Sequence, residues 1–206
     1  MQKVILASGN KHKLEEIQEI LKDYKLELVT MHDAGLVDYE IIEDGDTFEA
    51  NSLIKAQAVM DELGIDTIAD DSGLEVDALD GAPGVYSARY AGEHADYLAN
   101  NEKLLKELAG VPDEMRTARF VTVLTMLFKN GDKIVVRGGV EGVIGHEAKG
   151  TNGFGYDPLF IIPELGKTFA ELESHEKNAL SHRANALKLL KVELDKYLET
   201  SYEKSS

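Results

Sequence analysis

The chain has no cysteine and no tryptophan, and only four of its 206 residues are proline. Without cysteine it can form no disulfide bond and has no thiolate for catalysis or metal binding. No apolar run approaches the roughly 20 residues that span a bilayer, and the first ten residues turn polar too early for a signal peptide. We therefore expect a cytoplasmic protein that has no membrane partner.

Positive charge is also scarce in this chain. Lys and Arg together number 22 against 38 Asp and Glu, so the formal net charge is −16. Proteins that bind polymeric nucleic acid gain much of their affinity from a basic surface, so we expect no such partner. A mononucleotide requires only a local group of basic residues and a divalent cation, so the position of those residues matters more than their number.

Strand-like and helix-like segments alternate along the chain, which predicts an α/β protein. Residues 118–144 flank the turn signal Asn130-Gly131-Asp132 and predict an antiparallel hairpin followed by a separate strand at 140–144, so the sheet should be mixed. The length favours one domain over 1–206, with a frayed polar tail at 199–206. Other predicted strands lie at 3–7, 26–30, 67–69, 74–78 and 159–162. Predicted helices lie at 11–21, 46–63, 97–108 and 181–198.

Two of the predicted helices carry distinctive polar residues. Asp46 followed by Glu49 resembles a capping box and predicts that the second helix starts at Asp46. In the helix at 97–108, Asn101 interrupts a face that is otherwise apolar. The apolar residues of that face are Leu98, Leu104, Leu105 and Leu108.

A glycine turn joins the first predicted strand to the first predicted helix. Its residues are Ser8, Gly9, Asn10, Lys11, His12 and Lys13. Such a turn presents backbone N–H groups at a helix N-terminus, which suits an anion, and Lys11 and Lys13 add positive charge. It matches neither a Walker A motif nor a dinucleotide fingerprint. The segment therefore predicts either a phosphate site or an ordinary strand-to-helix turn with two solvated lysines.

A pair of adjacent carboxylates, Asp70 and Asp71, follows the apolar run 67–69 and is followed in turn by Ser72 and Gly73. A strand that ends in acid, hydroxyl and glycine can hold a metal at its tip and let a phosphate come close. Neighbouring residues of a regular strand point to opposite faces, so only one of the two acids can face a given site. The periodicity leaves open which one, and an ordinary acidic turn is the alternative.

Two further segments carry candidate binding residues. The glycine-rich stretch 150–158 holds Phe154, Gly155, Tyr156 and Asp157. Glycine allows close approach to a ligand, Phe154 can stack on a base, and Asp157 can accept from a ring N–H. In 176–183, Ser181 can cap the last helix, which would put His182 and Arg183 in its first turn. The helix dipole disfavours cations there, so their presence indicates a functional demand.

The segment 69–92 closely resembles the signature of the inosine triphosphate pyrophosphatase family, whose members cut nonstandard purine nucleoside triphosphates to monophosphate and pyrophosphate. The glycine turn 8–13, the stretch 153–158 and the segment 176–184 match the same family in order and spacing. The resemblance extends from residue 4 to about residue 190. It implies a long curved mixed β-sheet flanked by helices, two lobes with the active-site cleft between them, a Mg²⁺ cofactor and a homodimer.

The resemblance also implies roles for individual residues. Asp71 would bind Mg²⁺ and act as the general base toward water, which attacks the α-phosphorus, and Glu43 would be the second metal ligand. Asn51 and Lys55 would lie on one face of the following helix, because they are four residues apart. The implied substrate-binding residues are Ser8, Gly9, Asn10, Lys11, His12, Lys13, Lys55, Ser72, Phe154, Gly155, Tyr156, Asp157, Lys177, His182 and Arg183.

The implied substrates are dITP, ITP and XTP. His182 and Arg183 offer donors that suit a 6-oxo purine, whereas the amino group of adenine would leave them unpaired. The residue that rejects guanine is not identified, and the roles of Asp70 and Arg89 stay open. Three alternatives are a Maf-like pyrophosphatase, a nucleotide-binding regulator without turnover, and a haloacid-dehalogenase-type phosphatase. The last lacks support because its DxDx[ST] motif is absent.

Overall fold

The computed structural model describes residues 2–92 and 96–205, with the side chains of 12 and 201–205 outside the description. The strands are β1 Gln2–Leu6, β2 Leu26–Thr30, β3 Thr67–Val76, β4 Thr117–Leu127, β5 Lys133–Ile144, β6 Phe160–Ile162 and β7 Lys167–Thr168. The α-helices are α1 Lys11–Ile20, α2 Phe48–Leu63, α3 Tyr97–Glu107, α4 Ser174–Leu180 and α5 His182–Ser205. In this described part of the chain no helix is long and apolar enough to cross a membrane.

The strands form one mixed sheet in the order β2-β1-β3-β4-β5-β6-β7. β1 pairs in parallel with β2 and β3, whereas β5 pairs with β6 and β6 with β7 in the antiparallel sense. The neighbours β4 and β5 are joined by residues 128–132, where the amide of Phe128 donates to the carbonyl of Asp132 at 2.9 Å. So short a connection allows only an antiparallel hairpin. The predicted mixed sheet with flanking helices is therefore confirmed.

Contacts between Cα atoms divide the chain into two units. Unit 1 comprises 1–71, 123–138 and 186–206, and unit 2 comprises 72–122 and 139–185. The expectation of one domain over 1–206, and the lobes and cleft that the family resemblance implies, stay predictions.

The core of unit 1 lies on both faces of β1. Val4 and Leu6 belong to a buried cluster with Ile17 of α1 and several residues of α5. The alternate residues Ile5 and Ala7 belong to a second cluster, which includes residues of α2. Successive side chains of a strand point to opposite faces, so helices on both sides explain why this strand is apolar at every inner position.

The core of unit 2 is rich in aromatic rings. Phe120 of β4 stacks on Phe169 with ring centroids 5.7 Å apart, and its ring is tilted against that of Phe160 at 4.5 Å. Leu104 of α3 and Leu74 of β3 are fully buried in the same cluster. This cluster supports the segment 150–158, whose Tyr156 belongs to it.

The acidic motif does not end a strand, which corrects the sequence prediction. β3 continues from Thr67 to Val76 through Asp70 and Asp71, where two strands with a turn between them were expected. β3 lies beside β4, and the hydroxyl groups of Ser72 and Thr122 are 2.7 Å apart. Pairing in the interior of a sheet outweighs the local turn preference of Asp, Ser and Gly.

Several boundaries also differ from the sequence predictions. α2 begins at Phe48 with Thr47 as its cap, because the Thr47 hydroxyl accepts the amide of Ala50 at 3.0 Å, so the predicted start at Asp46 is wrong. β5 is one strand up to Ile144 instead of two, and the helix α4 and the strand β7 were not predicted. On α3, Leu98 is 72% exposed and does not belong to the buried face.

The last helix is longer than the apolar pattern predicts. α5 continues through Ser205, whereas the sequence predicts an end at Leu198 and a frayed tail from 199. The Thr200 hydroxyl donates to the carbonyl of Tyr197 at 2.9 Å. Extending a formed helix fixes only one more residue for each hydrogen bond gained, and the tail contains neither Gly nor Pro to stop it.

Candidate functional site

The glycine turn of unit 1 is closed by its own side chains. The amide of Asn10 donates to the Ser8 hydroxyl at 3.1 Å, and the amide of Lys13 donates to the Asn10 carboxamide oxygen at 3.3 Å. Asn10 thus caps α1. A Cβ at Gly9 would lie 2.3 Å from the ring of His32, an exposed side chain, so any larger residue here would displace that ring. The Lys11 side chain is exposed, and that of His12 lies outside the described residues.

Lys13 and Asp70 form an ion pair inside unit 1. The Lys13 ammonium donates to both carboxylate oxygens of Asp70, at 2.9 and 2.8 Å. The Asp70 side chain is 5% exposed, whereas that of Lys13 is 25% exposed. Asp70, whose role the sequence left open, therefore holds the ammonium of Lys13 in place.

Asp71 lies next to a second lysine. The Lys55 ammonium donates to Glu43 Oε2 at 2.8 Å and to Asp71 Oδ1 at 3.4 Å. Lys55 thus joins two carboxylates that the sequence analysis assigned to a metal. Asp70 and Asp71 contact different lysines, as expected for neighbours on a regular strand.

The pKa values of Lys55 and Asp71 both lie above their ordinary values. Burial lowers the pKa of Lys55, but the nearby carboxylates of Asp71, Asp70 and Glu43 outweigh burial and raise it above the ordinary value. Burial also raises the pKa of Asp71, although Lys55 opposes that shift and Glu43 adds to it. Lys55 is therefore a firmly charged ammonium, and Asp71 is a stronger base than an exposed aspartate.

Asn51 links the segment before α2 to the same carboxylate. Its side-chain oxygen accepts the amide of Gly45 at 2.8 Å, and a Cβ at Gly45 would lie 2.7 Å from that oxygen. A hydrogen bond from Asn51 also lowers the pKa of Asp71, as one from Lys55 does. Asn51 and Lys55 therefore reach Asp71 from one face of α2, as their spacing predicts.

In unit 2, Asp157 holds the loop 153–157 from inside. Its carboxylate oxygen Oδ2 accepts the amide of Phe154 at 2.9 Å and the ammonium of Lys177. A Cβ at Gly153, whose φ is +75°, would lie 2.0 Å from the same oxygen. Burial raises the pKa of Asp157, while Lys177 opposes that shift. One oxygen of the carboxylate that was expected to accept from a base N–H is therefore already bonded to the protein itself.

The aromatic ring of the loop is presented to solvent. Phe154 is 62% exposed, and the Lys177 ammonium lies 4.9 Å from its ring centroid. Tyr156 is buried instead, and its hydroxyl donates to the carbonyl of Ser87 at 2.8 Å, while burial raises its pKa. Of the two aromatic candidates, only Phe154 offers a ring face for stacking.

The start of α5 has the predicted cap. The Ser181 hydroxyl accepts the amide of Ala184 at 3.1 Å, so His182 and Arg183 lie in the first turn. The His182 ring stacks on Phe120 with centroids 5.2 Å apart. Both side chains are half-buried, so an imidazole and a guanidinium lie in the first turn of this helix.

Two other residues of the 69–92 signature also have partners in unit 2. The Ser72 hydroxyl is committed to Thr122 of β4. The Arg89 guanidinium lies 5.1 Å from the ring centroid of Tyr86, which is exposed. Arg89 therefore contacts a ring of its own segment, and its role stays open.

A family model described as "Ham1 family" matches residues 4–193 of the chain. The chain belongs to the Ham1 family. A relative from Clostridium perfringens named dITP/XTP pyrophosphatase is 52% identical over 200 residues, which are 94% of this chain and 98% of that protein. One from Haemophilus influenzae with the same name is 50% identical over 195 residues, 94% of this chain and 99% of that protein.

Solved structures of this family share the fold. The Ham1 protein of Staphylococcus aureus superposes with a TM-score of 0.88 at 41% identity, over 95% of this chain and 100% of that one. A HAM1 protein from Coxiella burnetii gives a TM-score of 0.87 at 40% identity, over 95% and 100% of the two chains. The family resemblance drawn from four separated motifs is thus confirmed, and the Maf-like and dehalogenase-type alternatives lose their support.

The two residues that would hold Mg²⁺, Asp71 and Glu43, offer the kind of ligand that this ion prefers. Asp71 Oδ2 is buried and has no hydrogen-bond partner among the described residues, and the Glu43 side chain is partly exposed. Mg²⁺ takes one or two carboxylates and completes its shell with water and substrate phosphates. In the described residues no group of three or more His, Asp or Glu is placed to hold a metal, so the protein offers at most these two carboxylates here.

The sequence analysis did not identify the residues that hold two of the candidates, Lys13 and Gly155, in place. It left Asp70 without a role, and it recorded Asn101 only as a polar interruption on α3. The structure shows that Asn101 donates to the carbonyl of Gly155 at 3.0 Å. A polar residue on an apolar helix face was the available signal, because buried polar groups are usually hydrogen-bonded.

Proposed function

We propose that this chain is a Mg²⁺-dependent enzyme that hydrolyses dITP, ITP and XTP to the monophosphate and pyrophosphate. Relatives at about half identity over nearly the full chain carry the name dITP/XTP pyrophosphatase. The observation that carries the proposal is Asp71, a half-buried carboxylate beside the Lys55 ammonium and with one oxygen unpartnered in the described residues. We further propose that the enzyme is cytoplasmic and acts as a homodimer.

Asp71 serves as the general base in this proposal. It accepts a proton from water as the water oxygen forms a bond to the α-phosphorus, and the bond from that phosphorus to the bridging oxygen breaks to release pyrophosphate. Burial, which raises the pKa of Asp71, brings its basicity closer to the working pH. Asp71→Asn keeps the shape of the side chain and removes the base.

Lysines neutralise the charge that develops on the phosphates. Lys13 and Lys55 are both held by carboxylates of unit 1, so their ammonium groups are positioned before substrate binds. Lys177, the third lysine that the family resemblance assigns to the substrate, is held in unit 2 by Asp157. Mg²⁺, when bound by Asp71 and Glu43, supplies further positive charge to the phosphate oxygens.

Base selection rests on unit 2. Phe154 stacks on the purine, and His182 and Arg183 donate to the 6-oxo group. Adenine carries an amino donor at that position, so it would meet these donors without offering them an acceptor. The expected order is therefore efficient turnover of dITP and XTP and poor turnover of dATP.

The test is product analysis with defined substrates. Pyrophosphate and orthophosphate are measured from dITP, XTP, dGTP and dATP, with Mg²⁺ and with EDTA, for the wild type and Asp71→Asn. We expect Mg²⁺-dependent pyrophosphate from dITP and XTP, little from dATP or dGTP, and a loss of at least about 10²-fold in kcat in the variant, the scale on which a positioned base acts.

The matched control is Asp23→Asn, which makes the same chemical change at an exposed ion pair with Lys191. This variant should retain wild-type rates. Orthophosphate as the first product would place the attack at the γ-phosphorus and contradict the mechanism. Tight binding of dITP without turnover would make the protein a nucleotide-binding regulator.

A further inference from the structure

Asn101 of α3 contacts the loop that carries Phe154. Its side-chain amide donates to the carbonyl of Gly155 at 3.0 Å, across 54 residues of sequence. Gly155 has a φ of +62°, and glycine accepts positive and negative φ almost equally. Local sterics therefore leave the orientation of this peptide open, and the hydrogen bond from Asn101 fixes it.

Fold stability does not account for an asparagine at this position. Asn101 Oδ1 is buried and has no hydrogen-bond partner in the part of the chain that the structure describes. A buried acceptor without a partner costs free energy that an apolar side chain of similar size would avoid. The buried neighbours of Asn101 on this helix avoid that cost: Leu104 is apolar, and Asn100 uses both its oxygen and its nitrogen in hydrogen bonds to residues 87–91. The contact that asparagine gains in return is the one to Gly155.

A second contact between α3 and the loop lies one turn earlier. The Tyr97 ring centroid is 6.2 Å from that of Phe154, with the rings tilted at 47°. Residues 97 and 101 are four apart and share a helix face. The loop is thus held by α3 from outside and by Asp157 from inside, while the Phe154 ring stays exposed.

The geometry points to Asn101 as a positioning residue of the base-recognition loop. Through the carbonyl of Gly155 it holds the neighbouring Phe154 in the orientation that stacks on the purine. It contacts no reacting atom, so its effect falls on substrate binding and not on the chemical step. This inference rests on the proposed function, because it takes the loop to be the base site.

The test compares Asn101→Leu with the control Glu102→Ala, which changes the adjacent, exposed residue of the same helix. Three kinds of measurement are made: steady-state kinetics for dITP, which give kcat and KM, the Tm, and the hydrogen-exchange rate of amides in the segment 151–157. In Asn101→Leu we expect KM to rise about fivefold, the worth of one neutral hydrogen bond. We also expect faster exchange in the segment, a kcat near wild type and a Tm that is unchanged or higher. The control should match the wild type in all three.

A second variant, Asn101→Asp, keeps the size of the side chain but replaces the donor with an oxygen that faces the Gly155 carbonyl. It should raise KM at least as much as Asn101→Leu. A fall in Tm in both variants, with KM and loop exchange unchanged, would show a merely structural residue and overturn the inference. If the wild type does not turn over dITP but loop exchange still accelerates in the variants, the proposed function fails while the positioning of the loop by Asn101 stands.

Discussion

The two units hold their candidate residues by different means. In unit 1 three charged candidates lie on regular elements, Lys13 on α1, Lys55 on α2 and Asp71 on β3, and only Glu43 lies in an irregular segment. In unit 2 the candidates at 154–157 lie on a loop with glycines at positive φ, which Asp157 holds from inside. The comparison shows that a charged side chain on a helix or strand is positioned by the rigid backbone of that element. A side chain on a loop is positioned only when a buried polar group hydrogen-bonds the loop backbone.

One kind of ion pair serves both arrangements. Lys13 pairs with Asp70 in unit 1, and Lys177 pairs with Asp157 in unit 2, and both carboxylates are 5% exposed. In each pair the lysine offsets the cost of burying the acid. The pairs differ because Asp70 binds its lysine through both oxygens, whereas one oxygen of Asp157 binds both Lys177 and the Phe154 amide.

The largest expected effect comes from removing the two lysines separately. Lys13→Met should lower the free energy of unfolding by about 3 kcal/mol, because a buried carboxylate loses a two-oxygen partner. Lys177→Met should cost about half as much, because Asp157 keeps the Phe154 amide and its raised pKa eases protonation. Urea unfolding of both variants measures the difference.

The control for this pair is Lys22→Met, which removes a lysine from an exposed pair with Glu19. Exposed pairs contribute little, so this variant should unfold like the wild type. If Lys13→Met and Lys177→Met lower the free energy of unfolding equally, the hydrogen bond from the Phe154 amide does not stabilise the Asp157 carboxylate.

A smaller effect should distinguish a loop glycine from a helix-cap glycine. Gly153→Ala should cost about 2 kcal/mol or more, because positive φ is unfavourable for alanine and the new Cβ would clash with Asp157 Oδ2. Gly64→Ala, at the C-cap of α2 with a φ of +62° and open space for a Cβ, should cost about 1 kcal/mol. Thermal unfolding of both variants checks this order. If Gly153→Ala is as stable as Gly64→Ala, the Asp157 side chain has moved to make room for the new Cβ.

The smallest expected effect is a change of folding stability with pH, which has opposite signs for two acids of unit 2, Asp157 and Asp77. Because burial raises the folded-state pKa of Asp157, this group favours folding at low pH and opposes it as the pH rises through that pKa. Asp157→Asn should therefore gain stability relative to the wild type as the pH rises from about 4 toward neutrality.

Asp77 provides the opposite case. Hydrogen bonds from Arg119 and Thr117 lower its pKa, so it stabilises the fold above its ordinary pKa and loses that effect as the pH falls through the folded value. Asp77→Asn should therefore lose stability relative to the wild type as the pH rises. Urea unfolding over a pH series measures both slopes, and slopes of the same sign would contradict the assignment.

The sequence by itself predicted the features that depend on near neighbours. The strand β2, the hairpin at 128–132 and the cap Ser181 lie where local pattern and turn chemistry placed them. The family motifs also indicated the candidate residues, because their identity and spacing can be read along the chain. These features involve residues within a few positions of one another, and local propensity suffices to specify them.

Only the tertiary structure decided how those residues are paired. Asp70 and Lys13 are 57 positions apart, and Asn101 and Gly155 are 54 apart, so no local pattern indicates either contact. β3 continues through Asp70 and Asp71 because neighbouring strands satisfy its backbone, against the turn preference of its own residues. Local preferences are small compared with the burial and pairing gained in the packed protein, so they decide the structure only where packing leaves the choice open.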